Sequence, residues 1–163
     1  MKYALIRRLV SSVALLAVVA CGDKRADDAP PAPAATATVA ASTAPPSATE
    51  MDSIGRAVYS TCAICHQANG EGIGTSFSPL AGSEIVTGPA EIPVAIILRG
   101  IKGPVRVKGT DYQGMMMPLA GSFSDVQVAS VATYIRSQWG NSAPAVTPEL
   151  VSRVRAATET RTA

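Results

Sequence analysis

Cys62-Ala63-Ile64-Cys65-His66 is the stretch that decides how this chain folds. Two thiols with two residues between them, and an imidazole directly after the second, have the spacing at which a c-type haem is attached. The thiols of Cys62 and Cys65 would add to the two vinyl groups of one haem c, and His66 would bind its iron from one face. Other chemistries share part of this pattern. A structural zinc site needs four ligands, usually as two pairs, and the only other cysteine, Cys21, has a better explanation in the N-terminal sequence. A redox dithiol belongs beside a strand-helix-strand pattern, and nothing downstream alternates in that way. Covalent haem is the expectation, and His66 is the only histidine in the chain.

Upstream, residues 1-20 carry Lys2, Arg7 and Arg8 and then an apolar run from Leu9 to Ala20. The run is too short to cross a bilayer comfortably, and its charged start and small-residue end follow the secretory pattern. Val18-Val19-Ala20-Cys21 also resembles a bacterial lipoprotein cleavage box, which implies lipidation at Cys21 and attachment to a membrane. The other reading, a spare thiol in an uncleaved segment, leaves an exported free thiol to be explained. Gly22 follows the cysteine, and in bacterial lipoproteins this is compatible with transfer to the outer membrane. The expected location is the periplasmic side of a Gram-negative envelope, lipid-anchored, with the outer membrane favoured over the inner.

Residues 21-50 hold the anchor and a run of Ala, Pro, Thr and Ser, a composition that cannot bury enough apolar surface to fold. The segment reads as a tether or a plain spacer, with a reach of about 30 Å as a coil and on the order of 90 Å if extended. Removing the three leader cations takes fourteen basic residues to eleven against twelve acidic, so the formal charge moves from +2 to about −1. That leaves no basic field for nucleic acid. Between residues 51 and 141 the counts are six and six, and no sign of docking patch follows.

Residues 51-141 form the candidate folded domain, at a size where an apolar core alone is marginal. A buried haem would supply the missing apolar body. Ile54, Ala57, Val58 and Tyr59 predict a first helix over 53-62, ended by Asn69, Gly70, Gly72 and Gly74. Pro93 fits a helix start, with a short helix over Val94 to Leu98 that ends at Gly100 and packs over a haem edge. The glycine-punctuated stretch from Gly103 to Gly114 reads as a loop or small hairpin. Ser124-Asp125-Val126-Gln127 matches a capping box, and Val128, Val131, Ala132 and Ile135 mark the buried face of the helix that follows, leaving Gln127, Ser130 and Arg136 outward. Residues 142-163 read as a tail, with one short surface helix after Thr147-Pro148-Glu149 and a frayed end.

These residues resemble a class I cytochrome c, an all-α fold of about three main helices around one covalently bound haem. The likeness extends to the small bacterial domains found in alcohol and sugar dehydrogenase complexes and fused to copper nitrite reductases. It rests on Gly55 and Tyr59, the Cys62-to-His66 motif with Gln67, the turn from Ser78 to Ser83, Gly103-Pro104-Val105, Val107-Lys108-Gly109, Tyr112, Met117-Pro118, and the ending Tyr134-Ile135-Arg136 with Trp139-Gly140-Asn141. One departure is that Tyr59 precedes Cys62 by three residues where many relatives have one more, so the first helix would enter the motif differently.

With one histidine, the sixth ligand is methionine, another weak donor, or nothing. Met115-Met116-Met117-Pro118 is the obvious source. Thioether sulfur is a soft donor and His/Met ligation raises the reduction potential, while proline holds the residue before it extended. The resemblance implies that Met117, directly before proline, is the ligand, with Met115 and Met116 as packing neighbours or alternates. It also implies that the second ring nitrogen of His66 is held by the carbonyl of Pro79, that Leu80 presses on the haem, and that Gly55 and Tyr59 meet Tyr134 and Ile135 at a helix crossing. Arg99 is read either as a propionate partner or as a solvated cation favoured by a helix dipole, and Trp139 as packing.

A six-coordinate iron has no open position for substrate. The expected role is therefore a monomeric electron carrier, not an enzyme, passing single electrons between a redox protein donor and an acceptor as iron cycles Fe(II)/Fe(III). The alternatives are a haem subunit docked permanently on a dehydrogenase or nitrite reductase, and a ligand-binding or peroxidatic haem protein.

Overall fold

A computed structural model describes residues 44–159. The leader, Cys21 and most of the tether expected from the sequence lie outside the described residues. Among those described, no helix is long and apolar enough to cross a membrane.

Helix α1 spans Ala48–His66, beginning earlier than expected and running through the whole Cys-x-x-Cys-His motif. Its early start has a local cause. The Ser47 hydroxyl accepts from Glu50 N–H at 3.3 Å, and the Glu50 carboxylate accepts from Ser47 N–H at 2.8 Å, a reciprocal capping box. The last residues of the expected tether are thus helix, and the folded unit begins before Met51.

Past α1 the chain loops to α2 (Glu84–Thr87), capped by the Ser83 hydroxyl, and to α3 (Glu91–Arg99), which ends at Gly100 with φ 73°. Four short strands follow: β1 (Ile101–Lys102), β2 (Val105–Val107), β3 (Thr110–Tyr112) and β4 (Met115–Met116). The β2-β3 pair is the anticipated hairpin. Strand β1 also pairs antiparallel with β4, setting Ile101 opposite Met116 and Lys102 opposite Met115. Both ladders are antiparallel and two-stranded, and both thiols of the motif lie on α1.

Helix α4 (Asp125–Ser137) starts at Ser124 with the expected capping box to Gln127. It crosses α1 at close range, since a Cβ on Gly55 would stand 2.5 Å from the Ser130 carbonyl oxygen and 2.9 Å from Tyr134 Cβ. Val128, Val131, Ala132 and Ile135 are buried as their spacing predicts, together with Val58 and Tyr59. Tyr59 and Tyr134 pack with ring centroids 5.3 Å apart, and Trp139 joins them at 5.0 Å from Tyr59. The crossing therefore has the packing role expected of it.

Two residues placed outward by periodicity are buried. Ser130 lies in the α1 contact, where its hydroxyl reaches Met51 Sδ at 3.1 Å. Arg136, 3% exposed, donates to the carbonyls of Val86, Gly88 and Pro144. A buried guanidinium is tolerated because backbone acceptors satisfy it. Gln127 is half-buried.

Helix α5 (Pro148–Thr158) corrects the expected surface tail. Val151 and Val154 are buried against α3 and α4, and Thr158 is buried at its end. Its apolar face completes the core that residues 51-141 leave open.

Candidate haem site

On α1 the motif becomes geometry. Cys62 and His66 stand four residues apart and Cys65 three from Cys62, so all three fall on neighbouring positions of one helical face. Ile64 points elsewhere and is 75% exposed. Cys62, Cys65 and His66 line a cavity of about 450 Å³, a size in the range of ligand pockets, about 300–1,000 Å³. Cys62 and Cys65 are free thiols, as thioether formation requires.

Burial sets the chemistry of this wall. Desolvation pushes the Cys62 thiol up to about 11, with Cys65 adding to the rise. Desolvation also lowers His66, against the opposing effect of a hydrogen bond to Ser78. That bond joins His66 Nδ1 to the Ser78 carbonyl oxygen at 2.9 Å. A carbonyl only accepts, so Nδ1 carries the proton, and in the neutral ring Nε2 keeps its lone pair for a metal.

The acceptor is thus Ser78, not Pro79 as the resemblance implied. The loop explains the one-residue shift. Leu80 and Ala81 N–H both donate to Gly70 O, at 2.7 and 2.9 Å, and Gly72 lies so close to the backbone of Phe77 and Ser78 that a side chain there would collide with it. Pinned on both sides, this turn presents the Ser78 carbonyl to the ring, while Pro79 and Leu80 line the cavity with their side chains. Asn141 closes the turn from the far end of α4. Its side chain donates to Leu80 O at 3.0 Å and Ile135 O at 2.7 Å and accepts from Gly82 N–H at 2.8 Å.

The rest of the lining is largely aliphatic, with Ile85, Val86, Ile96, Ile97, Val131 and Ile135 among it. Met115, Met116 and Met117 line the same cavity. Met116 packs against the core, whereas Met115 and Met117 are 63% and 69% exposed. The segment is placed by backbone. Besides the β1-β4 pairing, a Cβ on Gly100 would collide with Met116 O and stand 3.0 Å from Pro118 N and 3.1 Å from Met117 C. Leu119 and Ala120 N–H donate to Ile97 O and Leu98 O, each at 3.1 Å.

Arg99 stands in the last turn of α3, as the helix-dipole reading expects. It donates from Nε to Thr158 Oγ1 at 3.0 Å and from Nη2 to Arg155 O at 2.9 Å, so it fastens α3 to α5. Trp139 packs as expected and also donates to Ala68 O at 3.2 Å. Sequence reasoning missed Ser78, the α2 residues Ile85 and Val86, and the structural part played by Asn141. The turn residues around Gly70 and Gly72 were the available signal for the first.

A largely apolar cavity, two thiols and a metal-competent imidazole on one wall, and soft sulfur donors elsewhere in the lining fit a covalently held iron porphyrin. Among the described residues no group of three or more His, Cys, Asp or Glu side chains is placed to hold a metal ion by itself. These features define a haem-binding electron-transfer domain.

Comparison with known proteins makes the assignment specific. The family model for cytochrome c matches residues 53–139. Cytochrome c-552 of Thermus thermophilus is 40% identical over 91 residues, covering 53% of this chain and 69% of that protein. The cytochrome c subunit of the quinone alcohol dehydrogenase of Gluconacetobacter polyoxogenes is 36% identical over 98 residues, covering 58% of this chain and 20% of the subunit. The fructose dehydrogenase cytochrome subunit of Gluconobacter japonicus is 33% identical over 112 residues, covering 63% of this chain and 22% of the subunit. The chain belongs to the cytochrome c family and is a class I c-type cytochrome, an electron carrier with covalently bound haem c rather than a catalyst.

Proposed function

We propose that His66 and Met117 would hold the haem iron, with Cys62 and Cys65 as the thioether anchors of the haem. The observation that carries the reading is the single cavity lined by His66, held through Nδ1 by Ser78, and by the methionine segment before Pro118. When bound, the haem supplies a one-electron Fe(II)/Fe(III) couple whose potential His/Met ligation raises. The protein contributes orientation and dryness. Ser78 fixes the imidazole tautomer, the aliphatic lining keeps water away, and the backbone contacts of Gly100 hold the sulfur-bearing segment with little freedom to reorganise. In Met117→Ala, the sulfur-to-iron charge-transfer band of the oxidised protein should vanish and the reduced protein should bind carbon monoxide rapidly. A band that survives would assign the ligand to Met115 or Met116.

The carrier is further read as a lipoprotein on the periplasmic side of a Gram-negative envelope, anchored at Cys21, in the outer membrane by preference. Residues 22-46 then serve as the tether of a monomeric domain that moves between a redox protein donor and an acceptor. Support comes from the leader, the Val18-to-Cys21 box and the Ala/Pro-rich composition. Mass analysis of the mature N-terminus tests this: an acylated Cys21 is expected, and Cys21 inside an unprocessed chain would sink the reading. Permanent docking as a dehydrogenase subunit is the second reading, favoured by the similarity to two dehydrogenase cytochrome subunits. Co-purification at moderate salt separates the two.

A further inference from the structure

Residues 120–124 leave the methionine segment and reach α4 without regular secondary structure of their own, and α5 holds them in place. Arg155 donates from Nη1 to Ala120 O at 2.6 Å, from Nη2 to Phe123 O at 2.9 Å and from Nε to Asp125 Oδ1 at 2.7 Å. All three guanidinium nitrogens are engaged by one short stretch of chain, in a half-buried setting. The planar fork fixes those acceptors relative to one another, which a point charge cannot do. Arg155 is itself held, because its carbonyl accepts from Arg99, the last residue of α3, and Arg99 also donates to Thr158. From Arg99 the chain passes through Gly100 to β1, which pairs with Met115 and Met116. Helix α5 therefore grips both the end of α3, one residue before the strand that flanks the methionines, and the segment that follows Pro118.

We infer that Arg155 is a positioning residue for the distal ligand, holding the Met115–Ala120 segment closed over the cavity. The inference rests on the proposed ligation by Met117. Charge-assisted hydrogen bonds are the stronger kind, and removing the three that Arg155 makes raises the open population of the segment on the order of tenfold or more.

The test is imidazole binding to the oxidised holoprotein, because exogenous imidazole takes the distal position only when the methionine leaves it. Arg155→Ala should raise imidazole affinity about tenfold. Arg155→Lys, which keeps the charge without the fork, should give a smaller rise, and it serves as the readout if the alanine variant does not accumulate. Ser47→Ala, which removes the α1 cap at the end remote from His66, lowers global stability and should leave imidazole affinity unchanged. An Arg155 variant within twofold of wild type, or an equal rise in Ser47→Ala, overturns the positioning role. Met117→Ala separates the two levels: if it keeps the charge-transfer band, the ligand assignment fails, and if it loses the band while Arg155→Ala binds imidazole as wild type does, only the positioning role fails.

Discussion

The thiol-imidazole wall and the methionine wall of the cavity are built in contrary ways. Cys62, Cys65 and His66 fall within five consecutive residues and stand on adjoining turns of α1, so forming that helix places all three at once. Met115, Met116 and Met117 have no such frame. Their position comes from β1, from the end of α3, from Gly100 and, through residues 120–125, from α5. The first wall is fixed by local hydrogen bonds that form early and cheaply once a helix is nucleated. The second is fixed by contacts between distant segments, which pay loop-closure entropy before they return anything. The thiol-imidazole wall thus takes its spacing from α1 alone, with the His66 ring turned from outside by Ser78, whereas the methionine wall depends on the rest of the fold for its very position.

The largest test of this contrast removes the local wall. Cys62→Ala together with Cys65→Ala should abolish covalent haem, read as loss of the haem-stained band on a denaturing gel. A persisting band would show that other residues make the covalent link. Gly100→Ala attacks the dependent wall instead. Its φ of 73° and the collision of a new Cβ with Met116 O should cost about 1–3 kcal/mol in denaturant unfolding. The charge-transfer band should weaken while the haem-stained band stays. An unchanged unfolding midpoint would mean that the methionine segment shifts freely, and the contrast between the walls would collapse.

The smallest effect concerns pH. Glu84 is held below its ordinary value by its own N–H and then by that of Lys108, which donates to Oε1 at 2.9 Å and ties α2 to the hairpin turn. A depressed folded pKa gives stability that is present above the unfolded value of 4.5 and is lost as pH falls through the folded value. Melting of Glu84→Gln against wild type should therefore differ slightly near neutrality, and the difference should shrink on acidification below pH 4.5. A difference that is flat with pH removes Glu84 from the link.

Where sequence reading succeeded, the cause was local. The Ser124 cap was legible because its partner Gln127 lies three residues on, and Val128 to Ile135 because a helical period reports one buried face. The same logic failed at Ser130 and Arg136. Periodicity assumes one covered face, whereas α4 is covered by α1, α3 and α5, and Arg136 reaches the carbonyls of Val86 and Gly88 at the end of distant α2 and of Pro144 just past its own helix. It failed again at Ser47 and Glu50, where an Ala/Pro/Thr composition hid a capping box whose signature was present. Ser78 was missed by one residue, because the carbonyl that meets His66 depends on how Gly70 and Gly72 fold the turn back on itself.

By itself the sequence determined the cofactor and the spacing of Cys62, Cys65 and His66, since these need only consecutive positions on a helix. With one histidine in the chain, it also left methionine, another weak donor or nothing for the sixth position, and offered a methionine run as the obvious source. Only the tertiary structure decided which carbonyl holds His66, that Arg99 faces α5, and that α5 belongs to the folded unit. Those outcomes depend on which distant backbone groups arrive at a side chain, and only the packed chain brings them together.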